Sequence, residues 1–217
     1  MSITTEFFSG IISRTGNCAA REEQASTDSR PLCPALLGQL LKELESTSGA
    51  AKASPVILCI GTDRMIGDSL GPLTGSLLSE RAGSSLVVYG TLNATVHACN
   101  LKETLARIKK EHPRSTVIAV DASLGRQCVP GSVFVRAGSL KPGMGVSKNL
   151  PAAGDISITG IAGAQSGQPW LTLQTARLSL IMGMAEQICT CILDVCIRSD
   201  RCSCQPLSAR RTDVLLY

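Results

Sequence analysis

Short continuous hydrophobic runs alternate along this chain with stretches in which apolar residues recur at helical spacing. The runs predict strands at residues 55–61, 85–92, 116–122, 131–138 and 155–163. The helical spacings predict helices after Pro34, around Pro72, at 101–112 behind a capping-box-like Asn100, and at about 172–197. Because strands alternate with helices, we expect a three-layer α/β domain.

The same pattern divides the chain into three parts. Residues 1–53 are predicted to be an N-terminal tail with one short helix, and residues 54–199 to be the α/β domain. Residues 200–217 are predicted to be a cysteine-containing C-terminal tail.

Composition narrows the classes of function. Hydrophobic residues make up 44% of the chain, so it can bury a core, but aromatic residues make up only 3%. That leaves few side chains on which bases could stack. The net charge of +4 is mild and comes without a long basic cluster. We therefore expect no nucleic-acid partner.

Several features predict a cytoplasmic protein with free thiols. The N-terminus lacks the basic region of a signal peptide. Cys59 lies in an apolar run, where a thiol behaves as a small hydrophobic group. The apolar stretch 178–197 carries Glu186 and Asp194, which is unfavourable for a membrane span, so no membrane partner is expected.

A cluster of cysteines near the C-terminus raises the possibility of a zinc site. The cluster comprises Cys189, Cys191, Cys196, Cys202 and Cys204. Its spacing lacks the paired C-x2-C knuckles of structural zinc sites, and residues two apart on a helix point to different faces. We interpret the first three as helix residues and the last two as tail thiols.

Two aspartates follow predicted strands at positions where α/β proteins place ligands. The first strand runs into GTDRMIGDSLGP (61–72), which contains Asp68, and the third strand ends at Asp121. If these strands are neighbours, both side chains converge on the carboxyl edge of the sheet. Two facing carboxylates can activate a water molecule, because repulsion raises one pKa and separates acid from base. The same pair could instead supply oxygen ligands to a divalent metal.

Structural roles for these residues stay open at this point. Asp68 could cap the following helix, Asp63 could form an Asx turn, and Asp121 could anchor a loop. His97 follows the second strand and is the better functional candidate of the two histidines, although a structural role is as well supported. No G-x-S-x-G elbow occurs, so a nucleophilic triad is not expected.

Five collinear segments resemble a known family. They are GTDRMIGDSLGP, VYGTLNATVHACNL, AVDASLGR, GSLKPGMGVSKNLPAAGDISITGIAG and LQTARLSLIMGMA. With them, residues 54–188 closely resemble the sporulation protein family YyaC, which is related to the germination protease GPR.

The resemblance implies a fold like that of the hydrogenase-maturation peptidases. That fold is a phosphorylase/hydrolase-like α/β/α domain with a mixed, mostly parallel five-stranded sheet. The germination protease degrades small acid-soluble spore proteins, and its proposed catalytic residues are two aspartates. Asp68 matches the aspartate of its Asp-Ala-Leu-Gly-Pro motif, and Asp121 matches the one that opens an Asp-Ala-Leu motif. In the maturation peptidases the equivalent acidic positions bind a metal.

Two departures from the pattern bear on function. The chain is much shorter than the germination protease, and Ser157 stands where close relatives usually have histidine. The leading hypothesis is a sporulation-associated endopeptidase in which Asp68 and Asp121 activate water, with Asp63, His97 and Asp155 as secondary candidates and no metal or cofactor. The alternatives are a non-catalytic peptide-binding module and a metal-dependent maturation-type peptidase. The expected partner is a protein or peptide substrate, such as small acid-soluble spore proteins.

Overall fold

A computed structural model describes residues 34–47, 54–142, 150–165 and 167–198. Its strands are β1 (Val56–Cys59), β2 (Val87–Tyr89), β3 (Val117–Gly125), β4 (Val133–Ala137) and β5 (Ile156–Ala164). Its α-helices are α1 (Pro34–Thr47), α2 (Leu70–Ala82), α3 (Leu101–Glu111), α4 (Pro169–Gln174) and α5 (Leu178–Arg198). Two short 3₁₀ helices span Ile66–Asp68 and Gly83–Ser85.

The five strands form one mixed sheet in the order β2-β1-β3-β5-β4. Strands β2, β1, β3 and β5 are parallel, and β4 pairs antiparallel with β5. The predicted mixed, mostly parallel five-stranded sheet is confirmed. Strand β1 lies directly beside β3, so the two aspartate-bearing segments leave neighbouring strands.

Helices cover both faces of the sheet, which confirms the three-layer α/β/α class. Side chains of α1, α2 and α5 share one core cluster with alternate residues of β1, β3 and β5. Side chains of α3 share a second cluster with the intervening residues of β1 and β3, since successive strand residues point to opposite faces.

Helix α1 belongs to the first of these cores. Leu36, Leu40 and Leu44 are buried in it, and the Gln39 amide Nε2 donates to the carbonyl oxygen of Val135 on β4 at 2.6 Å. The helix predicted after Pro34 is confirmed. The boundaries predicted at residues 53/54 and 199/200 stay predictions, and residues 1–33 and 199–217 lie outside the described part of the chain.

The predicted helix at 172–197 is wrong in its first part, because two helices occupy this region. Helix α4 ends at Gln174, and the Thr175 hydroxyl donates to the carbonyl oxygen of Leu171 at 2.8 Å. The same kind of contact occurs at Thr190 inside α5, so it accompanies the end of α4 and does not by itself cause it. The chain then turns and begins α5 at Leu178.

Helix α5 is long and apolar enough, by length and composition, to cross a membrane over Leu178–Cys196. In this fold its apolar residues have another partner. Ile181, Met184, Ile188 and Ile192 are buried in the core shared with α1, α2 and the sheet.

Cys59, Cys99, Cys128 and Cys189 are free thiols, as predicted. Cys59 is fully buried, which raises the pKa of its thiol far above the ordinary value and keeps it protonated. Cys189, Cys191 and Cys196 lie on α5 as predicted. Cys202 and Cys204 lie outside the described residues.

Candidate active site

The loop after β1 folds back onto the end of its own strand and places Asp68 there. The backbone N–H of Thr62 donates to Asp68 Oδ2 at 2.9 Å. Gly61, at φ +142°, makes this return possible, because a Cβ at this position would overlap with the carbonyl oxygen of Asp68. A Cβ at Gly71 would likewise overlap with the carbonyl oxygen of Ile60. Two glycines therefore let the Asp68 segment lie directly against the strand.

Asp68 does not cap α2. The N-cap position belongs to Ser69, which makes no side-chain cap bond and instead donates from its hydroxyl to the carbonyl oxygen of Ile66 at 2.7 Å. The Asp68 carboxyl bonds to the amide of Thr62, outside the helix. A helix-capping role therefore does not explain why an aspartate stands at position 68.

Asp121 lies inside β3 and not at its end, because the strand continues to Gly125. The residue before it, Val120, pairs with Cys59, the last residue of β1. Asp121 is therefore the first β3 residue beyond the pairing with β1, and Thr159 of β5 lies opposite it. Its Oδ1 accepts from the backbone N–H of Ala122 at 2.9 Å.

The two carboxyl groups are both partly buried, and the charge of one acts on the other. Burial raises the pKa of Asp68 from 3.8 to about 6, while the Thr62 N–H partly opposes this by stabilising the carboxylate. Burial, and then the nearby negative charge of Asp68, raise the pKa of Asp121 well above its ordinary value. The negative charge of an ionised Asp68 therefore favours the protonated form of Asp121.

Both aspartates line one open cleft of about 1280 Å³, which also contains the exposed side chain of Asp63 and the partly buried side chain of His97. Basic side chains line it as well: Arg64, Arg126, Arg136 and Lys141. The structure thus brings four of the five predicted site residues to a single cavity.

Asp155 does not join them. It precedes β5, and its Oδ2 accepts from the backbone N–H of Val117 at 2.9 Å. Val117 opens β3, so this contact lies at the amino edge of two parallel strands, opposite the edge that carries the Asp68 loop. Asp155 links the start of β5 to the start of β3, so it has a structural role away from the cleft.

Two further cleft residues, Thr62 and Thr159, were not predicted from the sequence, and Ser157 was noted there only as a departure from the family pattern. Thr62 acts through its backbone amide, which no side-chain pattern reveals. Thr159 and Ser157 share the cleft with Asp121 because of the β3–β5 register. The Ser157 hydroxyl donates to the carbonyl oxygen of Arg136 at 3.3 Å. Strand alternation would have found both residues had the register been known.

A divalent metal fits poorly among the residues present. Within the described ranges, no group of three or more His, Cys, Asp or Glu side chains is arranged to hold a metal ion. Zinc and calcium sites generally take three or more protein ligands, so the described residues do not form a site of that kind. The acid–base groups that the cleft itself provides are the carboxyl groups of Asp68 and Asp121.

Fold and site together define an α/β/α protein with a coupled carboxyl pair at the carboxyl edge of a mostly parallel sheet. The chain belongs to the family described as "Protein of unknown function (DUF1256)", which matches residues 32–191. It is 46% identical over 149 residues to the uncharacterized protein YyaC of Bacillus subtilis (strain 168), covering 68% of this chain and 73% of that protein.

Two solved structures resemble the fold at low sequence identity. The NiFe hydrogenase maturation protease HybD from Thermococcus kodakarensis is 14% identical, with a TM-score of 0.38, covering 68% of this chain and 97% of that one. A peptidyl-tRNA hydrolase from Acinetobacter baumannii is 8% identical, with a TM-score of 0.45, covering 68% and 89%. These are distant likenesses of fold alone.

Proposed function

We propose that this protein is a peptidase in which Asp68 and Asp121 activate water for the hydrolysis of a peptide bond. One observation carries the proposal. Two carboxyl groups line the same open cleft, both have raised pKa values, and the charge of Asp68 favours the protonated form of Asp121. A base and an acid that interact within one cleft can together catalyse the hydrolysis of an amide by water.

The proposed reaction begins with the ionised Asp68. It takes a proton from water as the water oxygen forms a bond to the scissile carbonyl carbon. The protonated Asp121 then gives its proton to the amide nitrogen as the carbon–nitrogen bond breaks. A carboxylic acid and an amine leave, and one proton passes from Asp68 to Asp121 through solvent to restore the starting state.

The size of the cleft favours a peptide or protein as the substrate. Its volume of about 1280 Å³ exceeds that of the pockets that hold small ligands, and it is open to solvent. The likeness of the Asp68 and Asp121 motifs to those of the germination protease supports small acid-soluble spore proteins as the first substrates to test. On this proposal the protein acts in the cytoplasm of the sporulating cell or forespore.

Cleavage and its pH dependence test the proposal together. Purified protein would be incubated in H₂¹⁸O with small acid-soluble spore proteins and with a peptide library, beside a control carrying both Asp68→Asn and Asp121→Asn. We expect ¹⁸O in the new C-termini, and a rate that falls about tenfold per pH unit below about pH 6, because Asp68 becomes protonated there. At higher pH the rate should fall again, because Asp121 loses its proton.

Mass spectrometry would report both the fragments and the label. Fragments that appear equally with the doubly substituted control would contradict the proposal. Tight binding of peptides that stay intact across pH 4 to 9 would replace it with the alternative of a non-catalytic binding module.

A further inference from the structure

We infer that His97 is a hydrogen-bond donor to the carbonyl oxygen of the bound peptide, acting through its Nε2–H group. This role rests on the proposed peptidase function, because the oxygen it would contact is the one that gains negative charge when water attacks. Such donors stabilise the transition state most when they are fixed before the substrate arrives.

Three contacts fix the backbone around His97. Its N–H donates to Asn100 Oδ1 at 2.8 Å, and Asn100 Nδ2 donates to the carbonyl oxygen of Thr95 at 2.9 Å. One residue before His97, the Val96 carbonyl oxygen accepts from the Gly61 N–H at 2.8 Å. Gly61 precedes Thr62, whose N–H holds Asp68. A short series of hydrogen bonds thus ties the backbone of His97 to the residue that positions the predicted base.

These contacts also correct the predicted capping box. Asn100 occupies the N-cap position of α3, but its side chain makes no cap bond to the helix. The amide oxygen and nitrogen are both engaged by the loop that carries His97. Asn100 therefore serves to hold the loop.

The ring of His97 has a defined tautomer. Nδ1 accepts from the backbone N–H of Cys99 at 3.2 Å. A ring nitrogen that accepts carries no proton, so the proton of the neutral imidazole lies on Nε2. Across the described residues, no hydrogen-bond partner for Nε2 is present, and the side chain lines the cleft. Nε2–H is therefore a donor available to whatever the cleft binds.

The other histidine shows the contrasting arrangement. His112 Nε2 lies 3.1 Å from the Tyr89 hydroxyl, which also donates to Glu111 at 2.8 Å, and His112 does not line the cleft. The His112 ring therefore has a local structural role, in contact with Tyr89. A substitution at position 112 is thus the matched control for one at position 97.

The test compares His97→Ala with His97→Gln, whose side-chain amide nitrogen takes about the position of histidine Nε2. Loss of the donor should lower kcat about 10²-fold with little change in KM, and glutamine should restore kcat to within about tenfold of the wild type. His112→Gln should leave kcat unchanged. Equal loss in both His97 variants, or loss in neither, would overturn the inference.

A second readout does not depend on turnover. The ¹⁵N spectrum of the histidine side chains distinguishes the tautomers of the neutral ring, and we expect the neutral ring of His97 to carry its proton on Nε2, with the Nε2–H signal shifting when a cleavage product is added. A proton on Nδ1, or a signal that ignores the product, would overturn the inference. If the spectrum shows Nε2–H but the wild-type protein cleaves nothing, the proposed function fails, and the role of His97 at the carbonyl fails with it.

Discussion

Replacing Asp68 or Asp121 by asparagine is expected to lower kcat for peptide hydrolysis about 10³-fold, with a much smaller change in KM. Asparagine matches the shape of aspartate but neither takes nor gives a proton in the required range. Asp68→Asn removes the base that receives the proton of water, and Asp121→Asn removes the acid that protonates the leaving nitrogen. Because the two groups act as a unit, the double substitution should be little worse than either single one.

Asp155→Asn is the matched control. Asp155 sits at the opposite edge of the sheet, and asparagine keeps the oxygen that accepts from the Val117 N–H. Its kcat should equal that of the wild type. Steady-state kinetics on one defined peptide would separate kcat from KM. Full activity in Asp68→Asn would rule out the proposed mechanism, whatever the substrate.

The Asp68→Asn substitution, which is expected to abolish most of the activity, is also expected to raise the free energy of unfolding above that of the wild type at neutral pH. Burial raises the pKa of Asp68 from 3.8 to about 6, so the folded protein holds a proton that the unfolded chain releases between about pH 4 and 6. The free energy of unfolding therefore falls as pH rises through this window. Above it, the ionised carboxylate costs the folded state about 3 kcal/mol relative to acid pH.

The asparagine side chain in the Asp68→Asn variant would still accept from the Thr62 N–H, and it carries no charge to desolvate. Urea unfolding at pH 8 should show this variant more stable than the wild type by about 2 to 3 kcal/mol, with the two converging near pH 4. Asp155→Asn should show no such gain. A variant that is less stable than the wild type at pH 8 would mean that the Asp68 carboxylate stabilises the fold.

The sequence was sufficient to predict the strands and the convergence of Asp68 and Asp121, because both follow from local patterns. Continuous apolar runs mark strands covered on both faces, and the carboxyl ends of parallel strands meet at one edge. The glycine-rich segment between Gly61 and Gly71 was also visible. The backbone positions were needed to show what these glycines do. They allow the Asp68 segment to lie in contact with the end of β1.

The remaining features depend on register and on competition between hydrogen bonds. Asp155 follows the same pattern of a polar residue beside a strand, but it lies at the amino end of β5, where it bonds to β3. Asn100 has the sequence of a helix cap, yet the His97 loop engages its side chain. Helix α4 ends at Gln174, inside a stripe of apolar residues that indicates one continuous helix. At Asp155 and Asn100, a contact between segments outweighed the local pattern.

We propose that Asp68 and Asp121 form one coupled acid–base pair, and ¹³C NMR titration of the aspartate carboxyl carbons tests this without any knowledge of the substrate. We expect Asp68 to titrate near pH 6 and Asp121 well above the ordinary range. In Asp68→Asn, the titration of Asp121 should move to lower pH, because a nearby negative charge has been removed. If both carboxyls titrate near about pH 4, and Asp121 does not respond to the substitution, the two aspartates are independent surface groups and the account is contradicted.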